Sequence, residues 1–363
     1  MAKIEKLAYI LDWKFGPNSG VGQKVIDQVT SWNSFGLKTS LIVVCPRNDA
    51  SAWQEVPEVT AVLPYSNFFS RSFARKRAIR FAENSGANLF YTRFGILSPF
   101  FVKKMLTMPT ILELNFLGLT EHKRRSKFLF LYLIYIRRKA FRRSVGACAV
   151  TNEIAAEFLQ IVNNKIPCES FPNSIDLSKL PILKTIKNSK PKLVFVGSPH
   201  MVAHGVDRIE DLSDVLPEFE FHIIGPNESA IKRNNMIFTG ELFGQELYGY
   251  LEGMDVAISV LALERNRLSE ASPLKTRLYL GLGLPVIAGY KDTSFSQNSE
   301  FFCSISAENL SSDQVSLLKI RDFVTFWSNK RVDRHLVESI DSSVLEKSRV
   351  NFLTNIYQMD KRH

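Results

Sequence analysis

Cysteine is scarce in this 363-residue chain: Cys45, Cys148, Cys168 and Cys303 are the only four. They are widely scattered and form no Cys-x-x-Cys pair, which excludes a disulfide framework and a cysteine-based metal site. Four such residues read as buried thiols in a reducing compartment. Long apolar runs are missing as well. The best, Phe128 to Ile136, falls well short of the roughly 20 residues that span a bilayer. The first residues carry a short apolar stretch broken by Asp12, which does not read as a secretory signal. His200, His204 and His222 are spaced too irregularly for a metal triad. No low-complexity segment occurs, and 23% charged with 11% aromatic residues excludes disorder throughout. Together these absences predict a soluble cytoplasmic protein.

The length fits two domains better than one. The formal charge of +10 is unevenly placed. Residues 1–175 hold 24 Lys+Arg against 12 Asp+Glu, a balance of +12, and the remainder carries −2. A local excess of this kind points to a polyanionic partner for the first half alone.

Along that first half, strand-like and helix-like segments alternate. Leu7 to Leu11 is a short buried-strand run, followed by a Gly-rich turn (Gly16-Pro-Asn-Ser-Gly20-Val-Gly22). From Gln23 to Phe35, Val25, Ile26, Val29 and Trp32 recur at helical spacing, and Gly36 suits the helix end. Thr39–Val44, Asn88–Thr92, Thr110–Leu114 and Ala147–Val150 read as further strands. Ser70–Ser85 and Lys123–Arg143 read as basic helices. A polar, proline-punctuated connection spans 173–191, and then the alternation restarts at Lys192. Repeated strand–helix units predict parallel sheets covered on both faces, and a tandem pair of them predicts two Rossmann-like domains. The expected limits are 1–172, a linker at 173–191, 192–340, and a closing amphipathic helix within 341–363.

Two segments carry chemistry. Gly20 and Gly22 follow a strand and open a helix, where backbone N–H groups and the helix dipole favour an anion. The loop lacks the Gly-Lys-Ser/Thr of a P-loop, and Val25 stands where a dinucleotide fingerprint has its third glycine. The other segment is Glu270-Ala-Ser-Pro273-Leu-Lys275-Thr-Arg-Leu-Tyr279-Leu-Gly-Leu-Gly283-Leu-Pro285-Val-Ile-Ala288. Pro273 suits a first helical turn with Ser272 as its cap, and Gly283 suits its end. Glu270 and Lys275 then flank a helix N-terminus at the C-terminal edge of a parallel sheet, where open α/β sheets bind ligands.

That second segment resembles the donor-site motif of retaining family-four glycosyltransferases (glycosyltransferase group 1). Others agree with the resemblance in order and spacing. Val194-Phe-Val-Gly197 with His204-Gly205-Val206-Asp207 is similar to the opening of their second domain, and Phe221-His-Ile-Ile-Gly225 to its next strand. Ile237-Phe-Thr-Gly240 with Glu246-Leu-x-x-Tyr-Leu resembles the nucleotide-side loop and helix, and Phe171-Pro-Asn173-Ser-Ile-Asp176 the end of the first domain.

The resemblance implies a GT-B fold, two Rossmann-like domains with a deep interdomain cleft. It implies transfer of a sugar from a nucleotide-diphospho-sugar to a hydroxyl acceptor with retention of configuration, as a step of bacterial surface polysaccharide or glycolipid synthesis. No Asp-x-Asp occurs, so metal-independent transfer without a cofactor is the expectation. Carried over residue by residue, Gly20, Gly22, Gly197, Ser198, His204, Gly225, Gly240, Ser272, Pro273, Leu274 and Lys275 would hold the donor. Glu270, Asn115 and Glu113 would contact the reacting sugars.

The chain departs from the family at defined places. Ser198 and His204 stand where an Arg and a Lys usually meet the pyrophosphate, and Leu278 replaces the second motif glutamate. Glu113-Leu-Asn115 stands where a strand usually ends in His. Lys275, Arg265 and Arg267 are the cations available to replace the missing charge. These departures keep a second reading open, a non-catalytic GT-B-like nucleotide-sugar-binding or scaffold subunit. The basic segments 71–80 and 123–143 point to an anionic membrane surface, hence to a peripheral place on the inner face of the plasma membrane. No nucleic-acid module is visible.

Overall fold

A computed structural model describes residues 3–95, 99–116, 127–198, 201–226, 232–296, 299–306 and 310–360. His200 and residues 123–126 of the second basic segment lie outside them. The chain divides into two compact units, 1–174 with 342–363, and 175–341.

In the first unit, β1 (Leu7–Asp12), β2 (Thr39–Pro46), β3 (Val59–Tyr65), β4 (Leu89–Arg93), β5 (Thr110–Leu114), β6 (Gly146–Ala149) and β7 (Cys168–Ser170) form one sheet. Its order is β3-β2-β1-β4-β5-β6-β7, and every pairing is parallel. The central strands are buried on both faces, which is why they read as continuous apolar runs. One face is covered by α1 (Gly20–Ser34), and the loop region from 47 adds α2 (Ala50–Gln54). The other carries α3 (Phe68–Asn84), α4 (Pro99–Lys104), α5 (Lys127–Arg143) and α6 (Asn152–Ile161).

The second unit repeats the plan. Its sheet takes β8 (Lys192–Val196), β9 (Glu220–Ile224), β10 (Met236–Gly240), β11 (Val256–Ile258), β13 (Val286–Ala288) and β15 (Phe302–Ser304), again all parallel, in the order β10-β9-β8-β11-β13-β15. Its helices are α7 (Val206–Val215), α8 (Gly244–Glu252), α9 (Leu274–Gly281) and α10 (Gln314–Trp327). A separate two-stranded bridge joins β12 (Glu270–Ala271) to β14 (Lys291–Asp292).

The last helix, α11 (Ser342–Met359), packs against α1 and so belongs to the first unit. Its contact is polar at the centre. Glu346 is fully buried and accepts from Trp32 Nε1 at 2.8 Å and Ser174 Oγ at 2.8 Å, with Arg349 Nη1 at 3.4 Å. Arg349 in turn lies over the Phe171 ring and points Nη2 at the Phe171 carbonyl, 3.4 Å away. Removing one member of a buried pair leaves the other charge uncompensated, at a cost of about 3–5 kcal/mol. Glu346→Ala should therefore lower unfolding stability by that order in a urea titration followed by tryptophan fluorescence, and Glu346→Gln by less.

Candidate functional site

In open α/β sheets, ligands bind beyond the carboxyl ends of the strands, where the strand order reverses. Here that point lies between β8 and β11 in the second unit, and between β1 and β4 in the first.

Beyond β8 and β9 the backbone crowds. Gly197 N–H donates to the Ile224 carbonyl at 2.9 Å, and Gly225 N–H to the Gly240 carbonyl at 2.8 Å. A Cβ on Gly225, whose φ is +101°, would sit 1.9 Å from the Gly197 carbonyl oxygen. A Cβ on Gly197 would sit 2.6 Å from the Phe195 ring and 2.8 Å from His204 Nδ1. Glycine is required at both places, so the sequence-predicted Gly197, Gly225 and His204 come together around the end of β8.

Lys275 joins them from the first turn of α9. Its Nζ lies 4.0 Å from the centroid of the buried Phe195 ring, while the His204 ring meets the same phenyl edge-on at 5.3 Å. Both Lys275 Nζ and His204 Nδ1 are buried and have no hydrogen-bond partner among the described residues. Burial alone lowers the Lys275 pKa to about 7. Burial, and then the Lys275 charge, lowers His204 to about 3, so it stays neutral at ordinary pH. A desolvated ammonium beside a helix N-terminus, with nothing to bond to, is suited to an anion.

Other expectations for this segment change. Pro273 takes the cap position of α9, and Ser272 does not cap it. Ser272 Oγ instead accepts from Arg277 Nη2 at 2.7 Å. Arg277 is wholly buried and forks onto Asp292 at 2.8 and 2.9 Å, with Ser294 at 3.0 Å. The pair fixes β14, which is the strand that holds Glu270 through β12. Leu274 and Glu270 are half-buried at the same helix start. Arg265 is not available for a phosphate, because its guanidinium is taken by Asp207 and the Val202 carbonyl. Arg267 is exposed in a left-handed backbone conformation, and Ser198 is exposed too.

In the first unit, Ser19 caps α1 by accepting from Gly22 N–H at 3.2 Å. A Cβ on Gly22 would lie 2.4 Å from the Pro17 carbonyl oxygen, and Gly20 is exposed. One turn on, buried Lys24 reaches Glu113 Oε1 at 2.7 Å. Asn115 Nδ2 donates to the same oxygen at 2.8 Å, while Tyr9 and Tyr91 hydroxyls donate to Oε2 at 3.1 and 3.0 Å. A carboxylate has about four lone-pair sites, and all are filled. Burial would raise the Glu113 pKa. Lys24 first, then Arg93, Arg349 and the Asn115 bond, outweigh it and hold the group far below the usual carboxylate range. Glu113 therefore has no lone pair left for a sugar, whereas half-buried Asn115 keeps its Oδ1 end for one. Sequence reasoning missed Lys24, although a lysine on the apolar face of α1, beside Val25, was the signal for a buried partner.

No protein-family profile and no curated sequence matches the chain. Solved structures do. Sucrose-phosphate synthase from Thermosynechococcus elongatus superposes with a TM-score of 0.73 at 11% identity, over 98% of this chain and 100% of that one. Anabaena HepE, solved with UDP-glucose, gives 0.64 at 12%, over 96% and 99%. The pneumococcal O-GlcNAc transferase GtfA, solved with UDP and GlcNAc, gives 0.63 at 10%, over 98% and 99%. The fold is GT-B. At these identities the likeness speaks for architecture alone, and the GT-B units place Lys275 and Asn115 at the sheet edges just described.

The depressed Lys275 pKa has a sign that can be checked. Between about 7 and the ordinary lysine value near 10.5, the unfolded chain holds a proton that the folded one lacks, so this group makes stability rise with pH across that window. An anion at Nζ requires the ammonium. Affinity for inorganic pyrophosphate should fall above pH about 7, and binding there should take up a proton, seen by calorimetry in buffers of different ionisation enthalpy. Lys275→Met should abolish the uptake.

Proposed function

We propose that the protein is a glycosyltransferase that moves a sugar from a nucleotide-diphospho-sugar to a hydroxyl acceptor with retention of configuration. The observation that carries this is the unpartnered Lys275 ammonium facing the glycine-lined end of β8. It supplies the cation that Ser198 and His204 do not, from the other side of the switch point. Gly197, Gly225 and Gly240 allow close backbone approach, and the N–H groups of Leu274 and Lys275 would face the same phosphates. Charge developing on the departing diphosphate would be stabilised there by lysine and backbone dipoles, without a metal. Glu270, held by the β12–β14 bridge, would orient donor-sugar hydroxyls. In the first unit, the Asn115 amide, which Glu113 positions, would contact the acceptor.

The acceptor fits a bacterial surface glycan or glycolipid. Two features of the first unit support this. On α3, Phe68, Phe69 and Phe73 are exposed at 78%, 77% and 68%, and on α5 Leu131, Tyr132 and Tyr135 are exposed. Arg77, Arg80, Arg138 and Arg142 stand exposed on the same helices. Aromatic and cationic side chains together suit an anionic membrane surface. Arg71 and Arg75 do not contribute, since both bind Asp12. Among the described residues no helix is long and apolar enough to cross a membrane.

Thermal shifts against UDP-, GDP- and ADP-sugars should reveal the donor. Lys275→Ala should weaken that donor at least about tenfold, the loss of one charged hydrogen bond. Unchanged affinity would remove the lysine from the site. Tight donor binding with no nucleotide release, even with acceptor extracts, would favour the scaffold reading, for which Leu278 at the usual glutamate position speaks. Sedimentation with anionic vesicles should fall when Phe68 and Phe69 are both replaced by Ser, and should fall with salt.

A further inference from the structure

The first unit holds a second unsatisfied cation, and it stands where that sheet changes direction. Arg93 ends β4, next to β1. Its side chain is 21% exposed, and its guanidinium lies 5.4 Å from the Trp13 ring centroid. Trp13 is itself fixed, donating from Nε1 to Ser19 Oγ at 3.0 Å and meeting Phe15 edge-on. The nearest acidic group is Glu113, and Arg93 Nη1 comes only to 3.8 Å from its Oε1. That oxygen is already occupied by Lys24 and Asn115. No described residue accepts a hydrogen bond from the Arg93 guanidinium.

Counting charge around this point, Lys24 and Arg93 face the single carboxylate of Glu113, which leaves one positive charge over. Asp12, the carboxylate ending β1, is neutralised by Arg71 and Arg75. The other buried pair, Arg349 with Glu346, is internally balanced. A guanidinium with five donors, oriented by an aromatic face and left without an acceptor, matches the two oxygens of a carboxylate or phosphate. Asn115 is set beside it. Because Nδ2 must donate to Glu113, its Oδ1 is the end left to accept from a hydroxyl. Both side chains reach the same Glu113 oxygen, so cation and amide stand within the width of one sugar ring.

We propose that Arg93 and Asn115 form an acceptor subsite for an acidic sugar, with Arg93 pairing to a carboxylate or phosphate substituent and Asn115 Oδ1 accepting from a neighbouring hydroxyl. The name acceptor rests on the glycosyltransferase reading; the anion specificity rests on Arg93 alone. Glu113, Lys24 and Trp13 act as positioning residues.

The 363-residue chain has four tryptophans, so its indole N–H resonances resolve the Trp13 signal once Trp13→Phe has assigned it. Titration with glucuronate, glucose 6-phosphate and glucose should move that resonance with the two anionic sugars, and with glucose only at about tenfold or higher concentration. A response to glucuronate alone would assign a carboxylate substituent, and a response to glucose 6-phosphate alone a phosphate. Arg93→Lys, which keeps the charge and loses the fork, should weaken the anionic sugars about tenfold, and Arg93→Gln should remove their advantage over glucose. Equal response to glucose, an unaltered response in Arg93→Gln, or no response to any of the three overturns the subsite. UDP binding, read separately through Lys275→Ala, tests the glycosyltransferase reading: its failure with Arg93 selectivity intact would sink that reading and leave the anion site standing.

Discussion

A charge taken out of water must be met by opposite charge and by hydrogen bonds, and in this protein that requirement organises the first unit around Glu113. The carboxylate lies under the end of β5 with all its lone pairs filled. Two phenols approach it from β1 and β4, a lysine from α1, and an amide from the segment after β5. Each partner comes from a different element, so the pairing fixes strand register and helix placement at once. The same rule governs the second unit at smaller scale, where Arg277 and Asp292 tie α9 to the strand that supports Glu270.

Against those satisfied charges, Lys275 and Arg93 stand out. Each is held by an aromatic ring, Phe195 or Trp13, and among the described residues neither side chain has a hydrogen-bond acceptor, Arg93 coming only to 3.8 Å from Glu113. An aromatic face orients a cation without consuming its hydrogen-bond donors. Both therefore stay available while being kept in place, which separates them from Arg265, Arg71 and Arg75, whose forks are already closed on carboxylates.

Much of this architecture was legible in the sequence because parallel sheets write themselves as apolar runs separated by helical periodicity. The strands at 39–46, 89–93 and 110–114 and the helices at 20–34 and 342–359 followed from that pattern. Edge and short elements did not. β3 alternates exposure and contains Pro64, and β15 has three residues, so neither makes a buried run. The glycines ending β8 and β9 were visible because only glycine tolerates such crowding, and the one ending β10 because its φ is +74°. Side-chain pairing was less legible. Ser272 read as a helix cap and serves Arg277; Glu113 read as a group facing sugar and is sealed by four donors; Arg93 carried no local pattern at all. Spacing along the chain reports which face a residue lies on, and it does not report which partner arrives from a strand eighty residues away.

The discontinuity of the first unit has a further consequence for how the protein is made. Residues 175–341 are contiguous and can complete their sheet as soon as they leave the ribosome. The first unit cannot close as early, since the Trp32 indole and the Ser174 hydroxyl wait for Glu346 on a helix that is synthesised after the whole of the second unit. During translation the earlier-born half is thus the later to close. Until α11 arrives, its α1 face is an open apolar surface, and the nascent chain depends on that helix to become safe from aggregation.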